Sequence, residues 1–565
     1  MSAFRPRIID PAASAQLAAE LGVHPVTAQV LVGRGLTEAD RARAFLRADT
    51  AALHDPGLLR DLDRAVERID NAIRDGERIA IYGDYDVDGV SGTAVLTKTL
   101  RAAGADVVPY IPHRVRDGYG LSGDALRTLG EQGCRLIVTV DNGITRADEI
   151  AQAQAAGLDI VVTDHHEPGD TLPDCPVVNP KRKDATYPFP GLAGCGVAFK
   201  VACALADRRG GAFHETFQEL IPDLLAIVAL GTVADVVPLI DENRVLVRGG
   251  LKTLAGTRHA GLRALLRVSR CDGKQLNTTD IGFRIGPRIN AAGRLDSAHL
   301  ALDVILCEDP EEADELARRL DAGNRERQKI ERRHAEEAYQ RAEARLENDD
   351  DAAVVLADPE WHPGVIGIVA ARVAERFGRP AALIAIAGDE GKGSARSHGG
   401  VCLHEALAAC SEHLRTHGGH ALAAGFTLQP DSIDAFRTSF VEAIASQEGG
   451  GPAVREVDAE LPLDAIHRSL GREIAQLRPF GAGNAEPLFC AFGVRVAGRP
   501  KRVGPDQQHL VFYAAGERSS WRAVAFKQAD KEELLKGPID IAFSLRPRDD
   551  KEGLELHVRE IQPAG

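Results

Sequence analysis

Short runs of Val and Ile alternate with longer helical stretches over the first half of the chain. Four such runs, at residues 78–82, 106–111, 136–140 and 160–163, are largely apolar and only four to six residues long. Runs of this kind, separated by helical segments, are typical of buried parallel strands. The pattern predicts one doubly wound domain with a mostly parallel sheet between about residues 55 and 240.

Two helices are predicted beyond these strands. The apolar segment at 224–230 indicates a buried helix that leads to Asp235. Further along, Asp309 followed by Pro310 is a good N-cap and N1 pair, and a highly charged run continues the helix as a mostly solvated one. An apolar stripe at helical spacing is formed by Ala313, Leu316, Ala317 and Leu320. Such a helix usually links two bodies, so we assign residues 308–350 to a connecting helix.

The α/β pattern returns after the connecting helix. Apolar segments at 352–357, 366–371 and 381–386 predict a second α/β body over residues 351–450. The first body then covers residues 55–307, because a helical and loop region separates the parallel sheet from the connecting helix.

The last part of the chain changes character after the break Gly449-Gly450-Gly451-Pro452. Short alternating strands such as 508–513 and 539–545, with turn residues between them, predict a small β barrel over residues 455–565. Residues 1–54 are an Ala-rich helical lead-in without recognisable chemistry. The predicted fold class is therefore α/β, with two α/β bodies joined by a long helix and a C-terminal barrel that resembles an OB fold.

Composition and charge narrow the class of protein. With 565 residues, 44% of them hydrophobic, the chain can form roughly three or four domains. Nine cysteines without a Cys-x-x-Cys pair argue against a zinc ribbon and a disulfide framework, and they favour the cytosol. No signal peptide or membrane span is visible. The net charge of −15, from 68 basic and 83 acidic residues, excludes a protein that coats nucleic acid indiscriminately but not an enzyme that acts on it.

Carboxylate and imidazole groups follow three of the predicted strands. They stand in the segments Asp84-Tyr85-Asp86-Val87-Asp88, Asp141-Asn142-Gly143 and Asp164-His165-His166. In an open α/β sheet the carboxyl ends of the strands border one crevice, so these groups converge there, and Asp235 adds a fourth acidic point. Crowded carboxylates repel one another unless cations lie among them, and a mixed carboxylate and imidazole set suits Mn²⁺ or Mg²⁺. The sequence therefore predicts a two-metal site of the kind that catalyses phosphoryl displacement.

Each segment also has an ordinary structural interpretation. Asp88-Gly89 can begin a helix, and Asp141-Asn142-Gly143 alone is more often a turn than a ligand. An EF-hand is excluded, because a strand precedes the motif and Val95 stands where the calcium loop has its Glu. The position of Asp141 at a strand end, and two adjacent histidines after a buried strand, favour metal ligands.

The combined motifs resemble those of the DHH phosphoesterase superfamily. They are Asp-Tyr-Asp-Val-Asp-Gly, Asp-Asn-Gly, Asp-His-His and Gly-Thr-Val-Ala-Asp, in this order. Residues 287–294 and the later motifs Gly-Ser-Ala-Arg-Ser and Gly-Gly-His are similar to those of its bacterial single-strand-specific DNA exonucleases. The resemblance runs from about residue 50 to the end of the chain. It implies a DHH body, a DHHA1-type body, and 5′ to 3′ hydrolysis of single-stranded DNA to mononucleotides with two divalent ions, Mn²⁺ or Mg²⁺.

The resemblance also assigns roles around the metal pair. The implied metal ligands are Asp84, Asp86, Asp88, Asp141, His165 and Asp235. The implied catalytic residues are Asp84, Asp86, Asp141, His165, His166 and Asp235. Asp141 is suited to bridge the ions, His166 to contact the scissile phosphate or support the cluster, and Asp164 to orient a histidine. Tyr82 stands where many superfamily members have a histidine, so Asp84 is expected to complete the coordination there.

Groups that bind the DNA phosphates are implied as well. They are His166, Arg288, Asn290, Arg294, Ser394, Arg396, Ser397, Gly419 and His420. Arg offers a planar fork to phosphate oxygens, and a Gly-rich segment lets backbone N–H groups come close. Two alternatives stay open: Arg288, Asn290 and Arg294 can instead be structural partners of the acidic cluster, and Gly418-Gly419 can be a turn with His420 on the surface. Candidates for base stacking in the barrel, most of them expected in its core, are Phe480, Phe512, Tyr513 and Trp521.

Two other functions are compatible with the metal motifs. A superfamily enzyme for short oligonucleotides or cyclic dinucleotides has the same site but usually lacks the terminal barrel. A non-catalytic scaffold that binds single-stranded DNA would not need acids at every ligand motif. The resemblance implies single-stranded DNA as substrate, a single-stranded-DNA-binding protein and a recombination helicase as partners, and DNA repair and recombination as processes. It further implies a cytoplasmic monomer that does not bind membranes.

Overall fold

The structure, a computed structural model, describes residues 4–114, 120–295, 297–347, 351–447, 455–548 and 553–565. The chain divides into two compact units. The first, here called the barrel unit, combines residues 1–55, 236–251 and 453–565. The second, the α/β unit, combines residues 56–235 and 252–452. The barrel unit therefore consists of three segments that are far apart in the sequence.

A five-stranded parallel sheet forms the first part of the α/β unit. Its strands, in spatial order, are Val107–Tyr110, Arg78–Tyr82, Cys134–Thr139, Asp159–Thr163 and Val177–Val178. Most residues of the three central strands are buried, as expected for Val- and Ile-rich strands of a parallel sheet. The four predicted strands are confirmed. Because they run parallel, their carboxyl ends lie at the same edge of the sheet.

Helices pack against this sheet and against one another. They span Leu62–Arg74, Val87–Ala102, Gly123–Glu131, Ala147–Ala155, Gly194–Arg209, Gly211–Ala234, Ala260–Val268, Gly286–Leu295 and His299–Leu306, with a π-helical turn at Ile281–Ile285. The Asp241–Ala255 helix contributes residues to both units. The predicted buried helix at 224–230 is part of Gly211–Ala234. This helix has the length and composition of a membrane span, but 56% of its apolar window is buried inside the protein, so the evidence for a span is weak.

A helix of 37 residues, Pro310–Leu346, connects the two bodies of the α/β unit. The carboxylate of Asp309 caps it by accepting hydrogen bonds from two N–H groups of its first turn. The predicted connecting helix is confirmed, but the expectation of a mostly solvated second half is only partly met. The buried residues of that half include Arg327, Glu331, His334, Ala335 and Ala338. Arg327 pairs with Glu331 along the helix, and this side of the helix contacts the Ile366–Phe377 helix.

The second body is a five-stranded mixed sheet. Its strands, in spatial order, are Thr416–Gly419, Ala423–Leu428, Glu390–Arg396, Ala381–Ala387 and Val354–Asp358. The last two are parallel and the other neighbours are antiparallel. Its helices are Ile366–Phe377, Leu403–Ala409 and Ile433–Ala445. The strands predicted at 352–357 and 381–386 are confirmed, and the segment at 366–371 begins a helix.

A six-stranded barrel forms the centre of the barrel unit. Its strands, in spatial order, are Ala459–Glu460, Phe489–Val503, His509–Ala515, Ser520–Ala525, Leu554–Pro563 and Ile539–Pro547. The helix Arg468–Gln476 follows the first of them in the sequence. Pairing of Phe489–Val503 with Ile539–Pro547 closes the sheet, which confirms the predicted barrel. Phe489, Phe512 and Phe543 are buried in its core.

The N-terminal residues are part of the barrel unit. Strand Phe4–Pro6 pairs in parallel with Arg455–Val457, and apolar residues of the N-terminal helices share one core with the barrel. Arg244, only 1% exposed, donates hydrogen bonds to the backbone carbonyls of Phe45 and Leu477. This single buried side chain thus joins all three segments of the unit. The N-terminal helices span Pro11–Leu21, Pro25–Gly33 and Ala39–Arg47.

Candidate metal centre

The carboxyl edge of the parallel sheet gathers the predicted ligands. Asp84, Asp141 and His165 directly follow three neighbouring strands. The Nε2 atom of His165 lies 3.0 Å from Asp141 Oδ1, 3.6 Å from Asp235 Oδ2 and 3.8 Å from Asp88 Oδ2. The strand-end segments and the acidic point after the Gly211–Ala234 helix therefore meet in space.

Three overlapping sets of side chains have ligand atoms that all lie within 4.8 Å of one another. The sets are Asp84, Asp86 and Asp141; Asp88, His165 and Asp235; and Asp141, His165 and His166. Asp141 and His165 each occur in two of the sets, so the sets form one continuous cluster. All six predicted metal ligands belong to these sets.

Two of the carboxylates also organise the local backbone. Asp86 is the N-cap of the Val87–Ala102 helix, and its Oδ1 accepts hydrogen bonds from the N–H groups of Asp88 and Gly89 at 2.9 and 3.0 Å. Asp88 accepts hydrogen bonds from the N–H groups of Gly194 and Cys195, at 2.7 and 2.9 Å, at the start of the Gly194–Arg209 helix. The helix-start interpretation of this segment is thus compatible with the metal interpretation, because each carboxylate has more acceptor sites than its backbone partners use.

The backbone of Asp141 is in an uncommon conformation. Its φ is 64°, in the left-handed region, which Asp tolerates better than most residues. A Cβ on Gly194 would lie 2.7 Å from the Cβ of Asp141, so the start of the following helix needs glycine at this point. Asp141 Oδ1 and both ring nitrogens of His165 are buried without a hydrogen-bond partner among the described residues. Buried polar atoms without partners, on carboxylate and imidazole groups, fit a divalent metal ion.

The pKa values of the cluster also favour a bound metal ion. Burial raises the pKa of Asp84 and Asp141 well above its usual range, and neighbouring carboxylates add to the effect. For Asp235, burial and two nearby carboxylates raise the pKa to about 8. Burial lowers the pKa of His165, so its imidazole is neutral and able to bind a metal. The set is therefore costly as free carboxylates and is stabilised by cations.

Asp164 and His166 form a pair at the side of this cluster. Asp164 accepts hydrogen bonds from His166 Nδ1 at 2.8 Å and from the N–H of Ile144 at 3.0 Å. Burial alone would lower the pKa of His166, but the hydrogen bond and charge of Asp164 outweigh it and raise the pKa. Asn179, fully buried, donates to the carbonyl of His166 at 3.0 Å. Asp164 thus orients His166 and stays outside the three sets of ligand atoms.

Three arginines lie close enough to influence one another beside the metal cluster. Arg294 Nη1 donates to the carbonyl of Gly364 at 2.9 Å, and Arg396 Nη1 donates to Ser394 Oγ at 3.0 Å. Arg114 lies over the ring of Tyr85, 4.7 Å from its centroid. In the described parts of the chain, no carboxylate forms an ion pair with any of the three.

Burial and the crowding of cations both lower the pKa of Arg294 and Arg396. Burial, then the charges of Arg114, Arg327 and Arg396, lower the pKa of Arg294 to about 10. Burial and the charge of Arg114 lower the pKa of Arg396. Half-buried guanidinium groups that repel one another and have no carboxylate partner are an anion site.

Arg114 is a residue that the sequence interpretation missed. It follows the strand Val107–Tyr110, which neighbours Arg78–Tyr82, so it leaves the sheet at the same edge as the acidic segments. It stands four residues beyond the end of its strand, whereas Asp84, Asp141 and His165 each stand two residues beyond theirs. A second missed residue is Asn179, which follows the short strand Val177–Val178 at that edge.

The other predicted substrate residues have different surroundings. Arg288 pairs with Asp321 of the long helix at 2.9 Å, which gives it a structural partner outside the acidic cluster. Asn290 is half-buried on the same helix as Arg294. The hydroxyl of Ser397 donates to the carbonyl of Val401. Gly419 ends the exposed edge strand of the second sheet and His420 follows it, also exposed.

Three family models match the chain. They are the DHH family N-terminal domain at residues 78–232, the DHHA1 domain at 350–446 and the RecJ OB domain at 457–559. These matches agree with the two α/β bodies and the barrel of the structure.

Curated relatives and solved structures are similar over most of the chain. The single-stranded-DNA-specific exonuclease RecJ of Bacillus subtilis is 39% identical over 92% of this chain, which spans 65% of that relative. The protein of the same name from Salmonella typhimurium is 42% identical over 76% of this chain and 78% of its own length. The crystal structure of RecJ in complex with Mn²⁺ from Thermus thermophilus matches with a TM-score of 0.84 and 33% identity, over 100% of this chain and 80% of that one. The corresponding Mg²⁺ complex matches with a TM-score of 0.79 and 31% identity, over 100% and 78%.

Proposed function

The chain belongs to the RecJ family, and on this premise we propose that it is a single-stranded-DNA-specific exonuclease that hydrolyses phosphodiester bonds from the 5′ end and releases 5′-mononucleotides. One observation carries the proposal. A cluster of carboxylates and imidazoles with unpartnered buried atoms lies beside arginines that have no carboxylate partner in the described residues of the α/β unit. A metal-dependent phosphodiesterase needs both parts.

The residues present fit two divalent ions, Mn²⁺ or Mg²⁺. Those that would hold them are Asp84, Asp86, Asp88, Asp141, His165 and Asp235. When bound, the ions supply a hydroxide nucleophile at neutral pH and neutralise charge on the reacting phosphate. The protein keeps His165 neutral and ready to bind, and it fixes Asp88 and Asp86 through backbone N–H groups. Asp164 stabilises His166 in its protonated form, which suits a contact with a phosphate oxygen.

The arginine cluster is proposed to bind the DNA phosphates. Arg294, Arg396 and Ser394 are three of the residues selected by sequence, and Arg114 joins them. A phosphate among these cations would relieve their mutual repulsion and could be bound by two N–H groups of one guanidinium at once. Ser397 and Arg288 already use their side chains in other hydrogen bonds, so we give them a smaller share in binding.

The barrel is proposed to bind the single strand. Of the candidate stacking residues, Phe512 is 1% exposed and belongs to the core, whereas Tyr513 is 51% exposed. Phe480 and Trp521 pack against the core with part of their surface. Tyr513 pairs with Arg522 on the neighbouring strand, and Arg522 forms an ion pair with Glu555. The exposed ring of Tyr513 suits base stacking.

Cellular context follows from the same proposal. We propose that the enzyme acts in the cytoplasm in DNA repair and recombination, as a monomer, with a single-stranded-DNA-binding protein and a recombination helicase as partners. The domain limits predicted from sequence, 1–54, 55–307, 308–350, 351–450 and 455–565, are proposed as functional divisions of the chain.

The test is degradation of single-stranded DNA labelled at the 5′ or the 3′ end, with duplex DNA and short RNA as controls, in Mn²⁺, in Mg²⁺ and in EDTA. Asp141→Asn removes a central ligand, and Asp170→Asn changes an exposed acid and serves as the matched control. The proposal predicts metal-dependent release of the 5′ label as mononucleotide by the wild type and Asp170→Asn only. Tight DNA binding without cleavage would instead identify a scaffold. Cleavage confined to short RNA or dinucleotides would identify an enzyme for small substrates.

A further inference from the structure

Arg294 is held against the second body at Gly364. Its Nη1 donates to the carbonyl of Gly364, at 2.9 Å, in the loop between the strand Val354–Asp358 and the helix Ile366–Phe377. A Cβ on Gly364 would clash with the carbonyl oxygen of Arg294, so this approach requires glycine. The position of the guanidinium therefore depends on the position of this loop.

Two histidine rings accept hydrogen bonds from backbone N–H groups of this loop. The N–H of Gly364 donates to His362 Nδ1 at 3.1 Å, and the N–H of His362 donates to His334 Nε2 at 3.2 Å. His334 is on the long helix and is 1% exposed. Each accepting nitrogen must lack a proton, so both rings are neutral and each has one defined tautomer.

The surroundings of His334 are consistent with this tautomer. Its proton lies on Nδ1, which is buried without a hydrogen-bond partner among the described residues and has the carboxylate oxygen Oε2 of Glu337 at 3.6 Å. The same carboxylate oxygen accepts a hydrogen bond from Trp361 Nε1 at 3.1 Å. The long helix thus contacts the loop through Glu337 on one side and His334 on the other.

The loop also leads directly to the second phosphate-binding arginine. A Cβ on Gly367, in the first turn of the following helix, would lie 2.9 Å from both Arg396 Nη2 and Ser394 Oγ. The loop and the start of this helix therefore touch both Arg294 and Arg396, although the two arginines belong to different bodies of the α/β unit.

We propose that His334 is a positioning residue for substrate binding, which acts through His362 and Gly364 to hold Arg294 at the phosphate site. The inference rests on the proposed function and adds a residue that touches neither metal ligand nor substrate. An arginine that is already fixed loses less conformational freedom when it binds a phosphate. Loss of the fixing contact is therefore expected to weaken binding more than the chemical step.

Four variants test the proposal in the full-length chain with Mn²⁺. His334→Leu removes the acceptor, His334→Gln restores an acceptor near the Nε2 position, and Gly364→Ala separates the loop from Arg294. His259→Leu is the matched control, since His259 is 8% exposed in the same unit and accepts a hydrogen bond from the N–H of Leu262 at 3.5 Å. Each is measured for kcat and KM on single-stranded DNA, alone and in an Arg294→Ala background.

The expected result is a rise of about fivefold to tenfold in KM for His334→Leu and Gly364→Ala, with kcat within about twofold of wild type. His334→Gln should recover most of the loss, and the effect should disappear when Arg294 is already Ala. An equal rise in His259→Leu, or an undiminished effect in the Arg294→Ala background, would overturn the proposal. A wild-type chain that does not cleave DNA would refute the proposed function instead. In that case the Kd for single-stranded DNA is measured in EDTA for the same variants, again alone and in the Arg294→Ala background.

Discussion

Asp88 and Asp141 belong to the same cluster but have different structural duties, and a pair of isosteric variants separates them. Asp88→Asn and Asp141→Asn each replace a carboxyl group by an amide of the same shape in the same cluster. Asp88 accepts hydrogen bonds from Gly194 at 2.7 Å and Cys195 at 2.9 Å, while Asp141 Oδ1 has no hydrogen-bond partner among the described residues. Only the first variant therefore damages the start of a helix.

The size of the difference follows from these two hydrogen bonds. A buried hydrogen bond to a charged group contributes about 1.5–3 kcal/mol. Asn at residue 88 keeps one neutral oxygen acceptor and turns its NH₂ group toward the second backbone N–H. We therefore expect the free energy of unfolding of Asp88→Asn to be about 2–4 kcal/mol lower than that of Asp141→Asn. Asn at residue 141 is compatible with the φ of 64°.

The assay is thermal unfolding in EDTA, with hydrolysis of single-stranded DNA in Mn²⁺ measured in parallel. Both variants should lose hydrolysis, because each removes a metal ligand. In EDTA, Asp88→Asn should melt at least about 3 °C below Asp141→Asn. Equal melting temperatures, or a lower one for Asp141→Asn, would refute the separation of roles that the hydrogen bonds indicate.

Three further predictions concern charge, substrate binding and the barrel. Burial and a neighbouring histidine lower the pKa of His24, whose ring caps a helix, so the unfolded chain takes up the proton first. The barrel unit should lose stability as the pH falls through about 6.5, and His24→Asn should lose this dependence in thermal scans. Arg396→Gln should raise KM about tenfold at similar kcat. Arg288→Gln breaks an ion pair, so it should lower the melting temperature and raise KM much less than Arg396→Gln. Steady-state kinetics and melting scans distinguish the two variants, and exchanged effects would contradict the assignment. Tyr513→Ala should weaken DNA binding in fluorescence anisotropy by about fivefold to tenfold, while Phe512→Ala should instead cost about 3–5 kcal/mol of stability in denaturant unfolding.

The metal cluster could be predicted because its geometry is encoded locally. Asp84, Asp141 and His165 each stand next to a recognisable strand, and parallel strands align their carboxyl ends without further information. The cap of the long helix at Asp309 was predictable for the same reason, since a cap depends on a few adjacent residues.

The partners of the arginines could not be predicted from neighbouring residues in the sequence. Arg288 and Arg294 lie on the same short helix six positions apart, yet one pairs with Asp321 and the other with the carbonyl of Gly364. Which partner each finds depends on how the long helix and the second sheet pack, and no spacing in the sequence encodes that packing. Arg114 was overlooked because it stands several residues after its strand, beyond the segment that the strand-end pattern marks.

The barrel unit can be completed only late in synthesis, because its three segments are far apart in the sequence. Residues 1–55 are synthesised first, yet the core that Leu17, Val30 and Leu31 share is completed only by residues after 452. The buried Arg244 is likewise made long before the carbonyl of Leu477 that it binds. During synthesis the α/β unit can therefore form while the N-terminal helices still lack their core. A chain that stops before residue 453 keeps the residues of the metal centre but leaves these helices with their apolar surface exposed.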